Sequence, residues 1–384
     1  MATRLRVLVV DDTALYRKIL GDAVNQLPEA ELAGAAHSGP TALKRLTQGD
    51  IDLVLLDVVM PEMDGVQTLA HIRRDWPHVA VVLVSGVTGR DADVTVAALA
   101  NGALDFIPKP QAASFSEAMQ RLVADLRHVL QVVAIRRLSS GACPPQAPPL
   151  SPAATRPATP PLVPVPPAAP SAARASTRPF TNMSSPPAVS LILIGVSTGG
   201  PRALQEVIPS LPAGLAVPIL IVQHMPALFT KSLAEQLSRT SRLPVSEATH
   251  GEPILPGRVL VAPGGRHLTV RLNDDGKSLR TELTDTPPVH SCRPSVDVLF
   301  ESVARSGFGG GIAALILTGM GEDGAQGVSA LKARGRTWCI AQDQASCVVY
   351  GMPEAIVRRQ LADEILPLPA IGPRLSSLPL NRLA

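Results

Sequence analysis

Aromatic side chains are scarce in this chain: two Trp, two Tyr and six Phe among 384 residues. Single-stranded nucleic acid is held on stacked aromatic platforms, so it is not an expected partner. An excess of one charge is also missing. Thirty-five Lys and Arg face 32 Asp and Glu, a formal net charge of +3. No basic run is long enough to track a phosphate backbone, and no helix-turn-helix pattern is visible. No stretch of 18 apolar residues occurs, so no membrane span is expected. The N-terminus, MATRLRVLVVDD, has neither the apolar core nor the small-residue cleavage site of a secretory signal. A cytoplasmic protein is therefore expected. Cysteine is limited to Cys143, Cys292, Cys339 and Cys347. None forms a C-x-x-C pair and no His stands at zinc-finger spacing, which points to reduced thiols without a metal.

What is present divides into three zones. Residues 1–137 alternate apolar runs (LRVLVVD, LVLLD, VAVVLVS) with amphipathic stretches such as Ala14–Leu27 and Gly65–Trp76. That alternation predicts a doubly wound, flavodoxin-like parallel sheet. Residues 138–188 are crowded with Pro, Ala, Ser and Thr and contain no Asp or Glu. They read as a semi-rigid linker, with a Pro-rich ligand as the alternative. Residues 189–373 return to strand–helix alternation, in SLILIG, VPILIVQ, RVLVAP, HLTVRL, IAALILTG and TWCIAQ. RVLVAPGGRHLTV reads as a hairpin turned at Gly264-Gly265, so a mostly parallel α/β sheet made mixed by a β-hairpin is expected. Residues 374–384 read as a loose tail.

In the first zone, Asp11 and Asp12 follow the first strand and Asp57 ends the third. Ligands of a doubly wound sheet bind beyond the carboxyl ends of its strands, so the three carboxylates should converge. As hard oxygen donors they suit Mg²⁺. Ser85 ends the fourth strand and Lys109 follows the fifth, placed to hold the oxygens of a phosphoryl group on Asp57. The Lys109–Pro110 bond is a candidate cis peptide. Phe106, at a strand end, has core packing as its bland alternative.

In the third zone, SLILIGVSTGGP runs a buried strand into a Gly-rich turn and then a helix opened by Pro201. Ser197 thus stands near a helix N-terminus, whose free N–H groups suit a developing oxyanion. The turn alone fits either a nucleophile or a phosphate cradle, though the spacing matches neither nucleotide fingerprint. His224 ends the next strand in VPILIVQHMP and supplies a base. Asp323, in LTGMGEDGAQG, is a candidate orienting carboxylate, with the adjacent Glu322 and the strand-ending Asp343 as alternatives. Backbone amides near Met320 could complete an oxyanion site. His250, His267 and His290 fall in polar connecting segments. The chain order Ser–His–Asp differs from the Ser–acid–His order of α/β-hydrolases.

These strings carry two resemblances. The DD pair, the D-x-x-M-P-x-M-D-G block and the K-P motif make residues 1–137 similar to a response-regulator receiver domain. That resemblance implies phosphorylation of Asp57 by a histidine kinase, and Mg²⁺ held by Asp11, Asp12, Asp57 and the Val59 carbonyl. It implies a switch formed by Ser85 and Phe106 with Lys109. GVSTGGP, QHMP, RPSVDVLF, LTGMGEDGAQG and AQDQASCVVYGMP make the third zone similar to the catalytic domain of the chemotaxis protein-glutamate methylesterases. That resemblance implies Ser197 as nucleophile, His224 as base and Asp323 as third member, with Thr198 and Met320 at the oxyanion and substrate side. It implies hydrolysis of γ-glutamyl methyl esters on methyl-accepting chemotaxis receptors and deamidation of receptor glutamines, with no cofactor for the esterase step. A monomer acting on a membrane-bound substrate without inserting is expected. Cys292, where many relatives carry His, and Gln344, where Glu is more usual, depart from the pattern. A switch domain preceding a hydrolase of protein substrates suggests that the unphosphorylated receiver covers Ser197.

Overall fold

The computed structural model describes residues 4–86, 88–109, 114–140 and 185–381. In the N-terminal half, strands β1 (Leu5–Val10), β2 (Ala30–Ala36), β3 (Leu53–Asp57), β4 (Ala80–Ser85) and β5 (Asp105–Pro108) form one parallel sheet in the order β2-β1-β3-β4-β5. β3 and β4 are buried along their whole length, as a sheet covered on both faces requires. Their covers are α1 (Ala14–Asn25), α2 (Gly39–Leu46), α3 (Gly65–Asp75), α4 (Gly89–Ala100) and α5 (Phe115–Ser140). β1 lies between β2 and β3, so the chain reverses its direction of travel there and opens a crevice. The MDG string has a packing reason. Asp64 caps α3 by accepting from Gln67 N, and a Cβ on Gly65 would fall 2.3 Å from the Asp57 carbonyl oxygen.

The C-terminal half contains β6 (Val189–Val196), β7 (Ile219–Gln223), β8 (Val245–Glu247), β9 (Val259–Val261), β10 (His267–Leu272), β11 (Leu279–Thr284), β12 (Gly311–Ile316), β13 (Thr337–Gln342) and β14 (Glu364–Leu366). Helices α6 (Gly200–Val207), α7 (Phe229–Thr240), α8 (Val296–Arg305), α9 (Ala325–Ala333), α10 (Gly351–Arg358) and α11 (Leu368–Ser377) pack around them. Seven strands form a sheet in the order β14-β13-β12-β6-β7-β9-β8, and every pairing in it is parallel. The mostly parallel sheet is as expected, but the hairpin does not make it mixed. The hairpin exists but lies elsewhere: β10 pairs antiparallel with β11 in a separate two-stranded ribbon. Both edges of β9 are taken by β7 and β8, which leaves no edge for β10. Gly264 serves another purpose, since a Cβ there would lie 2.2 Å from the Pro226 backbone.

Two boundaries also move. The expected tail is structured through Asn381: Ile371, Leu375 and Leu378 are buried, and Val189 N donates to Pro379 O while Asn381 N donates to Val189 O. A helical apolar stripe outweighs the prolines in that segment. α5 runs to Ser140, three residues into the expected linker. Residues 141–184 of that linker, and the Lys109–Pro110 bond, lie outside the described residues. The cis peptide found is Arg293–Pro294. No helix among the described residues is long and apolar enough to cross a membrane. The halves meet where α4 packs on α6 and α7, and where Val349 joins the apolar cluster built on Leu122, Leu126 and Val129 of α5.

Candidate active site and phosphoacceptor pocket

In the N-terminal crevice, Asp11, Asp12 and Asp57 bring carboxylate oxygens within 4.8 Å of one another. Asp11 and Asp57 are buried and Asp12 is exposed. The Lys109 ammonium lies 3.0 Å from Asp11 Oδ2 and 2.8 Å from Asp57 Oδ2, and 4.5 Å over the Tyr16 ring, a contact the sequence did not suggest. Burial raises the Asp57 carboxyl to about 6; Lys109 opposes the shift and the neighbouring Asp11 charge adds to it. Asp11 Oδ2 makes no aligned hydrogen bond despite the nearby ammonium. An acid whose ionised form is this poorly compensated, among hard oxygen donors, fits a divalent cation such as Mg²⁺. Val59 N approaches Asp57 Oδ1 at 3.5 Å. The Ser85 hydroxyl accepts from Thr95 Oγ1 at 2.7 Å and donates to the Gly86 carbonyl.

In the C-terminal half, β6 has β12 on one side and β7 on the other. Ser197 follows β6, His224 follows β7, and Met320 and Asp323 follow β12. Three adjacent parallel strands thus deliver these residues to one rim, at the switch point of the sheet. The Ser197 turn is pinned from both sides. Ser197 N donates to Thr318 O at 3.0 Å, and Gln223 Nε2 donates to Ser197 O at 2.9 Å. Gly200 leaves room for that amide, because a Cβ there would stand 1.9 Å from Gln223 Oε1.

His224 Nε2 lies 2.7 Å from Asp323 Oδ2. The two competing carboxylates are engaged elsewhere: Glu322 pairs with Arg359, and Asp343 accepts from Ser346. Asp323 also accepts from Ser295 Oγ, Val296 N and Asp297 N, at the N-terminus of α8. Asp297 returns the arrangement, accepting from Gly324 N and Gly327 N at the start of α9. Each loop carboxylate thus caps the other's helix and occupies its positive end. Burial works to raise the Asp323 carboxyl, but the His224 hydrogen bond and charge, with the Asp297 and Val296 amides, together outweigh it and the net shift is down. Burial works to lower the His224 imidazole, but Asp323 and then Cys292 outweigh it and push the group up to about 10. Sequence reasoning missed Ser295, Asp297 and Gln223 as supporting residues, although RPSVD and QHMP display them.

Ser197, His224 and Asp323 line one cavity of about 430 Å³ together with Met320, His290 and Cys292. His290 sits in a polar connection, as expected, in the turn before α8, with its Nε2 3.2 Å from Asp297 Oδ2. His267, by contrast, is not a connector: it opens β10, fully buried, and accepts from Ser295 N. Among the described residues no hydrogen bond joins the Ser197 hydroxyl to His224. The other ring nitrogen, Nδ1, faces Cys292 Sγ at 3.5 Å. Catalytic contacts of unliganded sites are often loose in this way. Gln344 lies away from this cavity, beside Ile135 and Tyr350.

The far wall of the cavity comes from the N-terminal half: Leu99 of α4, Asp105 and Phe106 of β5, and His128 of α5. Thr198 Oγ1 donates to Asp105 Oδ2 at 2.6 Å, one residue from Ser197. Phe106 packs on Phe229 of α7 with ring centroids 4.4 Å apart, so it is an interface residue rather than a core one.

The CheB methylesterase family model matches residues 192–375, and the response regulator receiver domain model matches residues 7–120. A protein-glutamate methylesterase/protein-glutamine glutaminase of Desulfotalea psychrophila is 38% identical over 371 residues, covering 96% of this chain and 96% of the relative. One from Symbiobacterium thermophilum is 41% identical over 373 residues, covering 96% of this chain and 95% of the relative. The crystal structure of the Thermotoga maritima CheB methylesterase catalytic domain is 40% identical, with a TM-score of 0.47, and covers 49% of this chain and 98% of that one. With identity of this order along nearly the whole length of both sequences, the chain belongs to the protein-glutamate methylesterase/protein-glutamine glutaminase family, in which a receiver domain precedes a CheB methylesterase domain.

Proposed function

We propose that this chain is a phosphorylation-controlled serine hydrolase that converts γ-glutamyl methyl esters of chemoreceptors to glutamate and methanol, and receptor glutamines to glutamate and ammonia. Ser197 Oγ attacks the γ-carbonyl carbon while His224, in its uncharged form, takes its proton, and Asp323 holds the imidazole and stabilises its charged form. The C–O or C–N bond then breaks, with His224 returning the proton to the leaving group. Water, deprotonated by His224, releases glutamate from the acyl-enzyme. Backbone amides at the α6 N-terminus and near Met320, with Thr198, supply the oxyanion side.

Control comes from the receiver. Asp57 accepts a phosphoryl group from a histidine kinase, with Asp11, Asp12, Asp57 and the Val59 carbonyl placed to hold Mg²⁺, which neutralises charge on the phosphate when bound. Ser85, Phe106 and Lys109 report the charged state. We place the reaction in the cytoplasm, with a monomer meeting membrane-bound receptors and the receiver (residues 1–137), linker (138–188) and esterase (189–373) acting as units. The observation that carries this reading is the 2.7 Å His224–Asp323 pair beside the Ser197 turn, in a cavity walled by Asp105 and Phe106.

The test is methanol release from methylated receptor membranes by wild type, Ser197→Ala and Asp57→Ala, with and without a small-molecule phosphodonor. Release should vanish in Ser197→Ala, and its stimulation by donor in Asp57→Ala. Release by Ser197→Ala at the wild-type rate would remove Ser197 from the mechanism.

A further inference from the structure

His224 has two ring nitrogens, and the hydrolytic reading accounts for only one of the contacts they make. Nε2 meets Asp323 at 2.7 Å, while Nδ1 faces the Cys292 thiol at 3.5 Å. Cys292, His224 and Asp323 thus form a linear thiol–imidazole–carboxylate array. A nucleophile beside a base that a third group orients is the arrangement that activates a thiol. The same base has two candidate nucleophiles, and in this structure it is turned to the sulfur.

The thiol is held there by its backbone. His290 and Ser291 are the central residues of a tight turn closed by Cys292 N donating to Val289 O and Val289 N donating to Cys292 O. Both adopt the left-handed region, with φ of 50° and 62°. Neither is glycine, so each is strained and must be over-determined by its surroundings. The surroundings do so. Asp297 holds His290, Gly265 N donates to the Arg293 carbonyl, and the Arg293 guanidinium donates to the carbonyls of Asp285 and Thr286. Cys292 is half-buried on the cavity wall. Cys339 is fully buried and Cys347 is partly covered, and burial pushes both thiols up to about 12.

We propose that Cys292 is a modification site for soft electrophiles, and for peroxide in particular, and that its capture switches the esterase off. The inference rests on the reading of His224 as the base of the hydrolase. His224 takes the thiol proton, and the sulfur attacks one peroxide oxygen. The S–O bond forms, the O–O bond breaks, and the departing hydroxide takes the proton from His224 and leaves as water. Sulfur is oxidised by two electrons to the sulfenic acid and the peroxide is reduced. Two equivalents of a small thiol reverse the step, giving a disulfide and water. Cys292 Sγ already touches the imidazole at 3.5 Å, so an oxygen added to the sulfur lies beside the ring, hydrogen-bonds it and keeps it from Ser197.

The test treats the full-length protein with hydrogen peroxide, and separately with iodoacetamide, and follows each cysteine by peptide mass. Cys292 should react faster than Cys339 and Cys347. His224→Gln should slow it by about 100-fold or more, the scale of a lost general base, while Ser197→Ala leaves it unchanged. Cys339 reports folding, because a variant that unfolds exposes it. Peroxide should abolish methanol release by wild type, reductant should restore it, and the rate that Cys292→Ser retains should be insensitive to peroxide. Cys292 reacting no faster than Cys339, or Cys292→Ser losing activity to peroxide as fast as wild type, overturns the proposal. Labelling reads the thiol even where no methanol is released, so failure of the hydrolase reading is seen separately.

Discussion

Removing the Asp105 carboxylate should release the esterase from its receiver without phosphorylation. In this structure Thr198 Oγ1 donates to Asp105 Oδ2 at 2.6 Å, and the bond joins the two halves one residue from Ser197. A hydrogen bond to an ionised acceptor contributes about 1.5–3 kcal/mol. Part of that is offset, because burial raises the Asp105 carboxyl against the Thr198 and Phe106 N hydrogen bonds. The low end of the range is therefore the working value. Since ~1.4 kcal/mol is a tenfold change in an equilibrium constant, Asp105→Ala should raise the uncovered population, and the rate without phosphodonor, about tenfold. Phe106→Ala removes the ring contact with Phe229, worth about 0.5–1.5 kcal/mol beyond its area, and should raise the same rate by about two- to tenfold. The two residues are adjacent, so their effects need not add. The assay is methanol release from methylated receptor membranes, with and without phosphodonor. Both variants should approach the donor-stimulated wild-type rate from below, and their stimulation ratio should shrink. A basal rate unchanged in Asp105→Ala and in Phe106→Ala, with circular dichroism intact, would refute a closed state held by these contacts.

Burial pushes the Asp57 pKa up to about 6, so its ionised form is a liability in the folded state above that pH. Asp57→Asn should raise the melting temperature at pH 7.5, and the gain should fade as pH falls from 6 toward 3.8, where wild type is protonated folded and unfolded alike. Mg²⁺ should raise the melting temperature of wild type more than that of Asp57→Asn in the same titration. The folded-state value for His224 lies above its unfolded one, so the stability that its charged form contributes is complete below pH 6.5 and is lost as pH rises toward about 10. The stability difference between wild type and His224→Gln, read by urea unfolding, should shrink across that window. Gly200→Ala should fold, cost about 1–3 kcal/mol from overpacking, and lower kcat by pushing the Gln223 amide off the Ser197 carbonyl. A kcat equal to wild type would show that this clamp is dispensable.

The order of residues alone specified the elements that repeat locally. β3 and β4 show as unbroken apolar runs, and α1 and α3 as 3.6-residue stripes, because burial of a strand or a helix face is written in its own residues. It also determined which chemistry-bearing side chains stand at strand ends, since Asp57, Ser197 and His224 each close or follow such a run. Tertiary structure decided what those ends meet. Asp323, rather than Glu322 or Asp343, reaches His224, because the loop before α9 and the start of α8 cap each other across the sheet. That exchange joins segments 27 residues apart, and no local pattern encodes it. The parallel β9, the ordered C-terminal segment and the Gly264 contact escaped for the same reason: the partner lies far along the chain. Most distant of all are Asp105 on Thr198 and Phe106 on Phe229, where two folded units meet across surfaces whose complementarity exists only once both sheets are built.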